Sequence, residues 1–151
     1  MIPISHTFLL RPGLWRAQGR VFDSEHQPRI AHGEIFVEHE ALQWALRGSF
    51  EIGDLSPRLE ATCAVAPFRG GTAARWSLSH PAWGALEGTF DFAGRRIFSG
   101  FRSADGSRSG VQTLTQKDGR AYLAEGELRR GRVVAWSWAL ALRWGGLRSV
   151  R

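Results

Sequence analysis

The chain is 151 residues long, carries a formal net charge of +6 and holds one cysteine. Such a length suits one domain with a real core, and the lone Cys63 excludes an intramolecular disulfide. No apolar run approaches the roughly 20 residues of a membrane helix. Phe8-Leu9-Leu10 is too short for a signal segment, so the expectation is a soluble cytoplasmic protein with no membrane partner.

Residues 1–12 read as a lead-in segment in which Pro3 and Pro12 leave room for one helical turn at most. Residues 13–151 read as a single β domain. The first predicted strand, 13–23, puts Trp15, Ala17, Gly19 and Val21 on one face, and the second, 30–39, turns Ala31, Gly33, Ile35 and Val37 inward. Residues 42–54 show the clearest pattern. There Leu42, Trp44, Leu46, Gly48, Phe50 and Ile52 alternate with Gln43, Ala45, Arg47, Ser49 and Glu51. That is the period of a strand with one buried face and one wet face. A fourth strand spans 57–65, and a fifth carries Ala74, Trp76 and Leu78 after a turn at 67–71. His80-Pro81 breaks it. The sixth holds Leu86, Gly88, Phe90 and Phe92, and the phrase from Trp83 to Gly94 repeats the skeleton of the third. Residues 96–101, 111–116 and 121–129 make the next three, separated by a polar loop at 102–109 and the hairpin signal Asp118-Gly119. The tenth, 133–144, puts Val134, Trp136, Trp138, Leu140, Leu142 and Trp144 on one face, and it alone also has the composition of a helix. Glycine spread through the other segments argues against helices there. Closing such a meander removes its open edges, so the expected fold is an all-β, up-and-down antiparallel β-barrel of about 8–10 strands.

Gly13-Leu14-Trp15, at the head of the first strand, resembles the G-x-W signature of the calycin superfamily, which includes lipocalins, fatty-acid-binding proteins and avidins. The resemblance implies a calycin-like barrel with Trp15 at its closed end. It also implies an arginine from near the C-terminal end, Arg143 or Arg148, packed across that indole. No other lipocalin signature and no biotin-type site is recognisable, so the resemblance carries no ligand-binding residues with it.

Alternate loops of a meander share one end. The connections at 23–29, 53–57, 79–83, 102–109 and 129–132 fall opposite Trp15 and gather Arg102, Arg108, Arg129, Arg130 and Arg132 with His26 and His80. Residues 1–75 balance eight arginines against eight acids, whereas 76–151 set twelve basic groups against six acids, so the charge excess lies in the second half. Inside, Trp44, Trp76, Trp136 and Trp138 are expected to join Phe50 and Phe90. Barrels of this size either pack their interior or hold one small ligand, and the pattern leaves both open. The candidate ligand-binding set is Trp76, His80, Arg102, Arg108, Arg130, Arg132, Trp136 and Trp138. The matching ligand is a small apolar or aromatic molecule with an anionic group.

Other chemistries have less to stand on. His32 and Glu34 share a strand face, but the opposite face is the apolar one, so they point to water and no metal is expected. Cys63 reads as a buried, inert thiol, and no cofactor is expected. Catalytic motifs are absent. An isomerase- or cyclase-type enzyme would have to use inward polar groups, with Thr113, Thr115, Glu87 and His80 as candidates. A pI near 11.1 suggests nucleic-acid binding, but single-strand binders expose their aromatics, and these alternate inward. Leu14, Phe22 and Phe36 fall on the outer faces of adjacent strands and offer a contact patch for a homodimer.

Overall fold

The computed structural model describes residues 6–66, 71–81 and 83–147. Ten strands follow in chain order: β1 (Gly13–Phe22), β2 (Pro28–His39), β3 (Trp44–Ile52), β4 (Leu55–Val65), β5 (Ala73–His80), β6 (Gly84–Ala93), β7 (Arg96–Ser103), β8 (Arg108–Asp118), β9 (Ala121–Arg130) and β10 (Val133–Gly146). Each pairs antiparallel with its chain neighbours. β10 also pairs with β1, from Leu14 opposite Gly146 to Phe22 opposite Ser137, so the meander closes into a ten-stranded barrel.

Residues 133–144 are strand rather than helix because β1 and β9 supply backbone partners on both sides. A bulge near Ala135 resets their alternation: Val134 lies opposite Arg129 and Trp136 opposite Leu128. The third strand begins later than its pattern predicts. Leu42, 91% exposed, belongs to the turn closed by the Glu40 N–H donating to the Gln43 carbonyl. Apart from Gly71, the expected turn at 67–71 lies outside the described residues.

One seam in the wall is short. β4 and β5 pair only at Cys63 with Leu78, Ala64 with Ser77 and Val65 with Trp76. Toward the mouth, the first part of β4 has no ladder to β5 among the described residues.

The lead-in folds back as a plug. The Arg11 N–H donates to the Thr7 carbonyl at 3.0 Å, one helical turn, and Phe8 and Leu9 are buried under it. Trp15 is fully buried at this end, edge-on to Phe8, Tyr122 and Trp144 at ring-centroid distances of 5.6, 5.5 and 5.4 Å. His6 ties the plug to the wall. Its Nε2 lies 2.8 Å from the Gly94 carbonyl, which can only accept, so Nε2 carries the proton. Nδ1, 2.8 Å from the Tyr122 hydroxyl, is then the acceptor. That hydroxyl also accepts the backbone N–H groups of Thr7 and Phe8 at 3.1 and 3.3 Å. His39 adds a third tie by donating to the Leu9 carbonyl at 2.7 Å.

Of the two arginines expected across Trp15, the structure describes one. Arg143 is exposed on the outer face, opposite Arg16 and Ala121, and Arg148 lies outside the described residues. An arginine does lie over an indole at this end, Arg11 of the lead-in, whose guanidinium is 5.8 Å from the centre of the Trp144 ring.

Candidate functional site

Between plug and mouth the barrel is hollow. A cavity of about 440 Å³ runs from Phe8 at its base to Leu55, Trp83 and Trp136 at its opening. The even positions of β3 form one wall through Leu46, Gly48, Phe50 and Ile52, as the alternation predicts. Trp76, Phe90, Trp136 and Trp138 line it too. Trp44 does not: it stacks on His39 at 4.0 Å and packs against the core at the closed end.

Two of the indoles are set by their neighbours. Trp76 on β5 lies opposite Gly88 of β6, where a Cβ would come within 2.8 Å of its ring. The bare backbone lets the indole cross β6 and donate to the Ser99 Oγ of β7 at 3.0 Å. Trp138 on β10 does the same from the other side. It lies opposite Gly126 of β9, where a Cβ would meet its ring at 2.6 Å, and it donates to the Gln112 Oε1 of β8 at 2.8 Å. Ser99 and Gln112 are direct cross-strand neighbours. They are the polar side chains of an otherwise apolar lining.

At the mouth a smaller annex of about 180 Å³ is lined by Trp83, Arg108, Leu128, Arg129, Arg130, Ala135 and Trp136. It shares Trp83, Leu128 and Trp136 with the main cavity. The indole N–H groups of Trp83 and Trp136 have no hydrogen-bond partner among the described residues. Arg129 is paired with Glu127 at 2.9 Å. The loops around the annex are pinned. The Asp105 carboxylate accepts from the backbone and hydroxyl of Ser107 and from the Ser103 hydroxyl, which holds its pKa down at about 2. The Gly131 N–H donates to the Ser107 carbonyl and joins the two loops.

The structure therefore brings Arg108 and Arg130 together with Trp136, and Trp76 with Trp138, but it separates the rest of the predicted set. Arg102 lies on the outer face, because Ser99, Phe101 and Ser103 occupy the inward positions of β7. Arg132 is exposed in the β9–β10 turn and lines neither cavity. His80 ends β5, half-buried and stacked on Trp83 at 4.4 Å, outside both linings. Thr113 and Thr115 fall on the outward positions of β8, since Gln112, Leu114 and Gln116 point in, and Glu87 is exposed outside. Val111, 56% exposed, confirms that parity. Ser99, Gln112 and Trp83 are among the lining residues that the sequence pattern does not single out. The signal lay in Gly88 and Gly126, each facing a tryptophan across a strand pair.

Cys63 does line the cavity, and burial pushes its thiol up to about 12. The His32 Nε2 lies 2.9 Å from the Glu51 carboxylate on the outer face. Leu14 is fully buried, so it cannot join Phe22 and Phe36 in an exposed patch. Among the described residues no helix is long and apolar enough to cross a membrane, and no cluster of three or more potential metal ligands occurs.

The fold and cavity define a calycin-like barrel. Among solved structures the chain is similar to the S-type phycobiliprotein lyase CPES from Guillardia theta, with a TM-score of 0.64 and 10% identity over 93% of this chain and 92% of that one. An N-terminal dehydratase from the difficidin assembly line aligns over 95% of this chain and 80% of that one at 10% identity, but its TM-score is 0.23. No protein-family model and no curated protein matches the chain.

Proposed function

We propose that the protein binds one small apolar or aromatic molecule inside the barrel and holds an anionic group of that ligand in the annex at the mouth. The observation that carries this reading is the hollow itself. A cavity of about 440 Å³ falls within the range of about 300–1,000 Å³ typical of small-ligand sites. The aromatic side chains that would otherwise fill the interior stand along its wall. Arg108 and Arg130 beside the opening supply the attraction for an anion, and the open indoles of Trp83 and Trp136 supply further donors. Among the described lining residues of the main cavity only Cys63 titrates, and it stays protonated. That lining offers no acid–base pair, which favours binding over isomerase or cyclase chemistry. The inward placement of Trp76, Trp136 and Trp138 also favours a cavity ligand over nucleic acid.

The test is a matched pair of probes, 1-naphthylacetate and 1-naphthylacetamide, followed by quenching of tryptophan fluorescence. The acid should bind about tenfold to a hundredfold more tightly, the value of one charge-assisted hydrogen bond. Equal affinities would remove the anionic group from the proposal, and no saturable binding of either would remove the ligand.

A further inference from the structure

The polar pair on the cavity wall has its hydrogen-bonding sense fixed by its neighbours. An indole N–H is a donor and nothing else. Trp138 therefore requires the oxygen of the Gln112 amide to face it, at 2.8 Å, and the NH₂ group is left pointing the other way. Trp76 likewise claims a lone pair of Ser99 Oγ at 3.0 Å, which leaves the hydroxyl hydrogen to be given elsewhere. Neither the Gln112 NH₂ nor the Ser99 hydroxyl hydrogen has an acceptor among the described residues. The two residues are direct partners across β7 and β8 and both line the cavity, so their free donors sit side by side in an apolar surround. Gly88 and Gly126 make this possible by letting each indole reach across a strand.

We propose that Ser99 and Gln112 form a recognition site for a neutral hydrogen-bond acceptor on the ligand, such as a ketone, an amide carbonyl or a ring nitrogen. This rests on the cavity being a ligand site, and it names a second chemical requirement besides the anionic group at the mouth. A hydrocarbon pressed against this wall strips water from two donors and leaves them unpaired. A carbonyl at the same place satisfies them. The site thus selects among ligands of equal shape.

The experiment compares 9-oxofluorene-2-carboxylate with fluorene-2-carboxylate, which differ by the one carbonyl, in calorimetric titrations of the unaltered protein. The ketone should bind about three- to tenfold more tightly, as expected for one or two neutral hydrogen bonds. Its carbonyl stretch should move to lower frequency in the complex relative to an apolar solvent. Replacing Ser99→Ala together with Gln112→Met should erase both effects, and the hydrocarbon acid should bind this variant at least as tightly as the unaltered protein, because it no longer strands the two donors. If both acids bind the unaltered protein equally, or the hydrocarbon binds better, the acceptor site is overturned and the ligand-binding reading stands. If neither binds, both fall.

Discussion

At the closed end Trp15 is fully buried between Phe8, Tyr122 and Trp144, whereas Trp83 and Trp136 at the mouth are half-buried with their indole N–H groups open. The Trp15 N–H is also without an acceptor, but it is sealed among aromatic rings where nothing can reach it. The arginines differ in the same way. Arg11 lies against the Trp144 ring, while Arg108 and Arg130 line an open annex. The same residue types thus pack a closed end and line an opening. An orphan donor behind a plug costs stability, about 1–3 kcal/mol, and packing has to offset it. An orphan donor at an opening can be satisfied by water or by a ligand.

The largest effect should come from exchanging the two kinds of tryptophan for alanine. Trp15→Ala should lower unfolding stability by about 3–5 kcal/mol, the cost of deleting a buried aromatic. Trp136→Ala, half-buried beside a space already empty, should cost about 1–2 kcal/mol. Urea titrations of the two variants decide it: equal losses would mean that the mouth is as much core as the plug.

A smaller effect separates the ends by pH. Tyr122→Phe should cost about 1–3 kcal/mol, because one oxygen serves His6, Thr7 and Phe8 at once. Burial depresses the His6 pKa below 6.5, and a neutral Nδ1 is what accepts the Tyr122 hydroxyl. The stability from this group is therefore complete above pH 6.5 and is lost as the pH falls through the lower folded-state value. At the mouth Asp23 and Asp105 are held below 3.8, so they keep their charge throughout that window. Relative to the intrinsic exchange rate at each pH, protection of the Thr7 and Phe8 amides should fall on mild acidification while that of the 104–107 loop is unchanged, and His6→Asn should abolish the difference. An equal fall in protection at both ends would indicate a global loss of stability rather than release of the plug.

The strand order and closure were legible because alternation is local: Leu46, Gly48, Phe50 and Ile52 declare an inward face by themselves. Parity failed where both faces read alike. On β8 the odd positions, Val111, Thr113 and Thr115, look more strand-core than Gln112 and Gln116, yet a one-residue slip moves every side chain to the other face. The bulge at Ala135 and the tight turn at Arg132 are likewise invisible to periodicity, so five arginines read as one rim divide among the annex, the outer wall and a turn. The plug was missed for a different reason. Its partners, Tyr122 and Gly94, are 116 and 88 residues from His6, and no local pattern encodes that contact.

The smallest expected effect bears most directly on the mouth. Arg130 and Arg132 flank the Gly131 turn, carry the same charge and are both exposed. Only Arg130 lines the annex. If the annex holds the anion by contact, Arg130→Gln should weaken binding of 1-naphthylacetate about tenfold, the loss of one charge-assisted hydrogen bond. Arg132→Gln should change it by about twofold or less, since a charge that makes no contact acts only through a field screened within about 10 Å at ordinary salt. Neither should move the melting temperature appreciably, because exposed charges contribute little to stability. Equal losses from the two variants, shrinking together as salt is raised, would show that the mouth attracts anions by its overall field and that the annex has no special place in it. A loss confined to Arg130 and persisting at high salt would tie the anion to the wall beside Trp136, where the aromatic part of the same ligand enters the barrel.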